Sequence, residues 1–376
     1  MILLSGPNIA GNEWKYVKDC LDTGWVSSVG SYVTQFENML AEFAGTKYGV
    51  ATSSGTTALH ISLILLDVKP EDYIIVPNVT FVASLNSIKY TGADPILMDV
   101  DPHTWQMDLD LLERFLEEQA DVQGDHCVHK TTGRRIRAIM PVHVLGNICD
   151  MDRLMAIAER FQLLVIEDAT EALGSYYKGR HSGSFGTLGC FSFNGNKIIT
   201  CGGGGVIVTD DEELAKKAKH LTTQAKADNF EYYHDMIGYN YRLVNVSAAM
   251  GVAQMEQLPD FIKRKHEIAA FYKAALGTVG DIGFQQVEET VNPNWWLFTI
   301  QTERQKEVLN NLNANKMQSR PFWVPMNQLP MFKNDLYVQE QDHSDAIYQT
   351  CLSIPCSTNI TDEELTAIAG KIKEVF

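Results

Sequence analysis

The chain has 376 residues, 45% hydrophobic and 21% charged, the composition of an ordinary globular protein long enough for two domains, or one large and one small. A formal charge of −16 argues against a nucleic-acid binder, whose backbone contacts need a basic face. Seven cysteines stand at 20, 127, 149, 190, 201, 351 and 356, an odd number with no CxxC pair, so they read as reduced thiols rather than as a disulfide or zinc framework.

The N-terminal MILLSGPNIAGNEW has no basic start, and its apolar stretch is too short for a signal peptide. No run approaches the ~18 apolar residues of a membrane span. A cytoplasmic protein with no membrane partner is expected. Residues 32–45 read as an amphipathic helix, with Phe36, Leu40 and Phe43 on one face and Gly45 near its end. Tyr48 to Thr52 is a short strand, and SSGTTALHISLILL is a glycine turn followed by a helix. In that turn, Ser53, Ser54, Gly55, Thr56 and Thr57 offer backbone N–H groups and hydroxyls at a helix N-terminus, a place for phosphate. A plain N-cap would explain one hydroxyl, not four around a glycine. No Walker A loop or G-x-G-x-x-G follows any strand.

Tyr73 to Val76 is a strand ending at Pro77, and FVASLNSIKYTG reads as a helix closed by Gly92. Phe81 is a candidate to stack on a planar ring, though taken alone it reads as a core aromatic. Ile96 to Val100 is a strand and Leu109 to Glu118 a helix. Residues 119–135 are polar and read as a long structureless loop. Its His126, Cys127 and His129 are too cramped for zinc and lack a fourth ligand, so no metal is expected. Ile136 to His143 is a strand, Met151 to Phe161 a helix, and 163–167 a strand. This βαβα rhythm implies a mainly parallel sheet with helices on both faces. Helical stretches at 211–223 and 247–276 follow, then a smaller α+β segment. The domains are expected at 1–260 and 261–376, divided within a long linking helix.

Two segments carry the chemistry. Leu163 to Ile166 is a continuous apolar run, typical of a strand buried on both faces, and it ends in Glu167-Asp168. A carboxylate there points into the crevice where parallel sheets bind ligands, although helix capping is the commoner role for such an aspartate. About 30 residues on, Lys197 sits between the β-formers 190–193 and 206–208, beside the four glycines 202–205. A lysine desolvated in such backbone has a lowered pKa and can attack a carbonyl; a surface lysine in a hairpin loop is the plainer alternative. Together, the aspartate and the lysine are what pyridoxal phosphate chemistry needs: a partner for the pyridine nitrogen and a Schiff-base amine.

The chain resembles the fold-type I pyridoxal phosphate aminotransferases, and within them the DegT/DnrJ/EryC1/StrS family of nucleotide-sugar aminotransferases. The resemblance runs through GWVSSVGSYVTQFE (24–37), SSGTTALH (53–60), VPNVTFVAS (76–84), PVHVLGN (141–147), IEDATEALGS (166–175), FSFNGNKIITCGGGG (191–205) and GYNYRLVNVSAA (238–249). It implies that Lys197 carries the Schiff base and Asp168 pairs with the pyridine nitrogen. It implies Phe81 on the ring, and Gly55, Thr56, Thr57 and Ser192 on the phosphate. Asn240 would reach the phosphate of the neighbouring subunit's cofactor, and Asn240 and Arg242 would cross the two-fold interface of an obligate homodimer. The position three after the aspartate is commonly Gln or His and contacts the cofactor's 3′-oxygen; here it is Glu171, which must be protonated or turned aside. The lysine is kept where dehydratases of the family carry histidine, so transamination from L-glutamate is implied.

FNGNKIITCGGGG, EDATEALGSYY, TGRRIRAIMPVHVLGN and TTQAK (222–226) look like the branch that aminates C4 of UDP-linked 4-keto-6-deoxy-N-acetylhexosamines in legionaminic acid or bacillosamine biosynthesis. A perosamine-type enzyme acting on a GDP-4-keto-6-deoxy sugar has nearly the same motifs. Candidates to hold the nucleotide sugar are His143, Lys226 and Arg320, with Trp25 and Trp323 as covers for sugar or base. For the first three, a solvated surface charge or a packed imidazole is the plainer reading, and the tryptophans read equally as core. In SRPFWVPMNQLPMF, which resembles the family's substrate-facing loop, Asn327 stands where many members have histidine.

Overall fold

The apolar run at 163–166 forms the strand Leu164–Asp168, near the middle of a mixed sheet. This computed structural model describes residues 1–228 and 230–376. From one edge the strands run Tyr48–Thr52, Gly205–Thr209, Leu188–Ser192, Leu164–Asp168, Arg135–Ile139, Tyr73–Pro77, Asp94–Met98 and Leu336–Val338. The first two junctions are antiparallel and the rest parallel. Strand residues alternate between two cores. Ile74 and Val76 pack with the Gly55–Leu65 helix, while Ile75 and Ile139 pack with Leu112 and Leu154 from the helices Leu109–Gln119 and Met151–Arg160. A sheet covered on both faces needs strands apolar at every position, as seen in the sequence.

The helix Asn245–Leu276 joins the two halves. Its first half packs Val252, Met255 and Leu258 with Phe36 and Leu40 of the Ser31–Ala44 helix. Its second half packs Ile268, Tyr272 and Leu276 with Phe298, Ile300 and Leu352 of a second sheet. That antiparallel sheet has the order Gly283–Phe284, Phe298–Gln301, Cys351–Ile354, Arg320–Pro321. Residues 260 and 261 lie inside the linking helix.

The structure corrects the sequence reading in three places. Residues 119–135 are not a structureless loop: Ala120–Gln123 and His126–His129 form an antiparallel hairpin that pairs onto Arg135–Ile139. Cys127 is buried there, and the His129 ring stacks on Phe115. Leu336–Val338, from the C-terminal segment, adds a parallel strand to the large sheet beside Asp94–Met98. Glu13–Thr23, unassigned in the sequence, is a helix capped by Gly24. All seven cysteines are buried and unbridged, and among the described residues no helix is long and apolar enough to cross a membrane.

Candidate active site

The C-terminal ends of the parallel strands converge on a cavity of ≈ 430 Å³, lined among others by Gly55, Thr56, Phe81, Leu145, Thr170, Ser192, Lys197, Trp296, Arg320 and Trp323. One wall is the N-terminus of the Gly55–Leu65 helix. Ser54 caps it, accepting the Thr57 N–H at 3.1 Å, while Thr57 Oγ1 accepts the Ser54 N–H at 3.0 Å. Thr57 Oγ1 also donates to the Ser54 carbonyl, so its hydroxyl is occupied by the cap and does not line the cavity. A Cβ on Gly55 would lie 2.8 Å from Ser192 Cβ and 3.2 Å from Thr170 Cγ2. Glycine therefore lets helix N-terminus, strand end and the Asp168–Thr170 turn close into one cradle. Gly205 permits a similar approach, since a Cβ there would meet the Ser54 carbonyl oxygen at 2.3 Å.

Asp168 is 2% exposed. Its Oδ2 accepts the Ser84 hydroxyl at 2.7 Å and its Oδ1 the Thr170 N–H at 3.2 Å. These bonds hold the carboxylate at the strand end. Glu167 points the other way. Burial would raise its pKa, but hydrogen bonds from His143 and from the Gly183 and Gly186 N–H groups hold it below the usual value. His143 Nε2 lies 2.9 Å from Glu167 Oε2, and neither side chain is exposed. His143, expected to touch substrate, is instead sealed in the core.

Lys197 follows a tight turn, its N–H bonded to the Asn194 carbonyl at 3.0 Å. The segment closes where Cys201 N–H meets the Phe193 carbonyl, with Gly202 at φ +78°. The lysine side chain is 12% exposed, and its Nζ lies 3.8 Å from Glu171 Oε1. Burial lowers the lysine's pKa, partly offset by the charges of Glu171 and Asp168. Burial raises that of Glu171, offset in part by Lys197 and by the Leu145 N–H. Both groups thus lean toward their neutral forms. Leu145 presents that N–H from a left-handed conformation, φ 60°, unusual for a buried leucine.

Gly55, Thr56, Phe81, Ser192, Lys197 and Arg320 meet at this cavity. Arg320 has no carboxylate partner among the described residues; its Nη1 donates to the Ser319 carbonyl at 3.0 Å. Trp323 lies 6.5 Å from Phe81, edge to face. Four expected residues lie elsewhere in the chain. Trp25 lines a different cavity, of ≈ 720 Å³, with Arg242 and Asn245. Lys226 Nζ sits 4.4 Å over the Tyr232 ring. Asn240 is exposed on a segment bridged to Thr223. Arg242, expected at the subunit interface, is buried and bonded to Glu37 and to the Ala51 carbonyl of its own chain. Asn327 exchanges hydrogen bonds with Asn78, side chain to side chain and backbone N–H to side chain, both at 2.9 Å. Sequence reading missed Ser84, Thr170, Leu145, Asn294 and Trp296. Of these only Thr170 carried a signal, two residues past Asp168.

The sequence model of the DegT/DnrJ/EryC1/StrS aminotransferase family matches residues 7–373. The chain belongs to that family. The aminotransferase is 38% identical to the GDP-perosamine synthase of Escherichia coli O157:H7, over 98% of this chain and 97% of that one. It is 36% identical to the GDP-perosamine synthase of Caulobacter vibrioides, over 100% and 98%. The solved structure of S. venezuelae DesV, in complex with a ketimine intermediate, superposes with a TM-score of 0.87 at 28% identity, covering 96% of this chain and 94% of that one. The fold is the type I pyridoxal phosphate-dependent aminotransferase fold, and the chain is a pyridoxal phosphate-dependent sugar aminotransferase. The cavity fits that cofactor: a Cβ on Gly55 would collide with Ser192 at the helix N-terminus, Asp168 is an anchored carboxylate, and Lys197 is an amine without a hydrogen-bond acceptor among the described residues.

Proposed function

We propose that the aminotransferase moves the amino group of L-glutamate to C4 of a nucleotide-linked 4-keto-6-deoxyhexose, and that the nucleotide is GDP. The observation that carries the chemistry is the uncommitted Lys197 amine in a cavity beside the anchored Asp168 carboxylate. The two perosamine synthases support the GDP sugar over the UDP-linked N-acetyl sugar to which the motifs are also similar.

Pyridoxal phosphate supplies an electrophilic carbon and a ring that stores an electron pair. The chain's own residues do the rest. Gly55, Thr56 and Ser192 bind the phosphate at the helix N-terminus, with the helix dipole behind them. Phe81 would cover one ring face, and Asp168, steadied by Ser84, would keep the ring nitrogen protonated. Lys197 would supply the amine that holds the cofactor's carbonyl carbon and, when unattached, would carry the proton to and from the substrate carbon. Glu171, held toward its neutral form, could donate a hydrogen bond to the cofactor's ring oxygen, which a charged carboxylate would repel. Arg320, with no acid beside it, faces the diphosphate.

The site is completed by a second copy. Asn240 stands among exposed apolar side chains, Ile237 at 85%, Phe230 at 93% and Tyr233 at 62%, an unusual density for a free surface. An isologous dimer would bury them and bring Asn240 to the partner's phosphate. Trp25 and Lys226, neither of which lines the cavity of its own chain, would likewise serve the partner's. The enzyme would work in the cytoplasm, where glutamate and nucleotide sugars are made, on either side of a domain boundary near 260.

The test is a side-by-side assay with L-glutamate and the two 4-keto-6-deoxy nucleotide sugars, following 2-oxoglutarate. Turnover of the GDP sugar with little of the UDP-N-acetyl sugar is expected. The reverse would overturn the substrate while leaving the transamination standing.

A further inference from the structure

The Lys197 amine has an aromatic neighbour as well as a carboxylate. Lys197 Nζ stands 3.8 Å from the centroid of the Trp296 ring, as close as Glu171 Oε1, and no hydrogen-bond acceptor reaches it among the described residues. Trp296 comes from the far side of the cavity, two residues before the Phe298–Gln301 strand of the second sheet. It is fastened on every side. Its indole Nε1–H donates at 2.7 Å to the carbonyl of Asn196, the residue before the lysine. Its backbone N–H donates at 2.8 Å to Asn294 Oδ1, and Asn294 Nδ2 in turn donates to the Glu171 and Leu173 carbonyls, both at 2.9 Å. Its carbonyl accepts the buried Lys265 ammonium at 2.8 Å. Its ring stacks on Trp323, 6.4 Å away at 22°.

Core packing alone asks for none of these bonds. One of them holds the turn that carries the nucleophile, and the ring face receives the nucleophile itself. An ammonium over a desolvated indole is stabilised electrostatically without a counter-ion that must later be released. A lysine that alternates between covalent attachment and proton carriage needs such a resting place in the second state.

We propose that Trp296 is a positioning residue that parks the Lys197 amine while it is not joined to the cofactor, and that it couples the second sheet to the nucleophile through the Asn196 carbonyl. This rests on the function proposed above only in taking Lys197 as the nucleophile. The charged and titratable groups facing the amine are Glu171 and Asp168, with Arg320 on the same cavity wall.

The test uses the full chain freed of cofactor. Lys197 is labelled with trace acetic anhydride across a pH series and read by mass spectrometry against exposed lysines as internal standards. Trp296→Leu removes ring face and indole donor; Trp296→Phe keeps a weaker face and loses only the donor. Losing the ring removes support for the ammonium, so the pH midpoint of Lys197 labelling should fall by about one unit in Trp296→Leu and by less in Trp296→Phe. In the loaded enzyme, Trp296→Phe should lower kcat about tenfold with the KM for glutamate nearly unchanged. A Lys197 midpoint that does not move in either folded variant overturns the proposal. If Trp296→Leu does not fold, the Trp296→Phe midpoint decides alone. The labelling needs no sugar or glutamate, so a wrong substrate would leave its outcome untouched.

Discussion

Glu171 is shared between two neighbours: its Oε1 lies 3.8 Å from Lys197 Nζ, and its Oε2 accepts the Leu145 N–H at 2.8 Å. Burial raises its pKa from 4.5 to about 7. The folded chain therefore binds a proton here that the unfolded chain has released. The protonated carboxyl's contribution to stability is whole below about pH 4.5 and is lost as pH rises through about 7. Glu171→Gln keeps the acceptor for Leu145 and cannot titrate. In the cofactor-free protein, wild-type stability minus that of Glu171→Gln should fall steadily across this window, as read by denaturant melts. A flat difference would mean that Glu171 is charged in the fold. Glu171→Ala should cost about 1–3 kcal/mol below about pH 4.5, because the buried Leu145 N–H loses its partner, and less as pH rises through about 7.

Ser84 makes the same kind of argument for Asp168. The Ser84 hydroxyl at 2.7 Å is the one side-chain donor on that carboxylate among the described residues. Asp168→Asn should keep the cofactor but slow transamination about 10²–10³-fold, since a neutral partner no longer holds the ring nitrogen's proton. Ser84→Ala should slow it about tenfold or somewhat more, by letting the carboxylate swing. Single-turnover decay of the cofactor's visible band with glutamate measures both. Equal rates in Ser84→Ala and wild type would show that Thr170 N–H suffices.

How far the site could be read from the sequence follows from these pairs. Asp168 was visible because it ends an apolar strand run, and Lys197 because it stands alone between two β-runs beside four glycines, both local patterns. Ser84 was not, because its partner is 84 residues away and only the parallel pairing of the strands brings them together. The hairpin at 120–129 was hidden for a related reason. Its strands are short and polar, and pairing with Arg135–Ile139 overrides their weak local preference. Leu336–Val338 looked like part of the second domain, and only tertiary contact with Asp94–Met98 assigns it to the large sheet. Trp296 carried no signal in the sequence: it is 3% exposed, and a buried aromatic beside the lysine looks like any core aromatic until the fold brings the two together.

His143 shows the opposite error, a plausible functional residue with a structural task. Its Nε2 bonds Glu167, whose oxygens also accept the N–H groups of Gly183, Phe185 and Gly186 at 2.6–2.7 Å. His143→Ala should lower stability by about 1–3 kcal/mol through the lost partner of a buried carboxylate. The KM for the sugar should be unchanged in the fraction that folds. A raised KM with native stability would return His143 to the substrate.

Asn240 allows the dimer and the shared site to be tested together. Asn240→Ala should weaken cofactor retention, and Lys197→Ala should abolish turnover. If Asn240 serves the partner's phosphate, a dimer mixed from the two variants has one site with both defects and one with neither. Refolding equal amounts together makes half the dimers mixed, so activity should return to about a quarter of wild type. If Asn240 acted within its own chain, each mixed dimer would carry one defect per site, and mixing would recover nothing beyond the sum of the separate variants. Sedimentation at assay concentration completes the test: a fully active monomer would leave the exposed Ile237, Phe230 and Tyr233 without the partner that their exposure calls for.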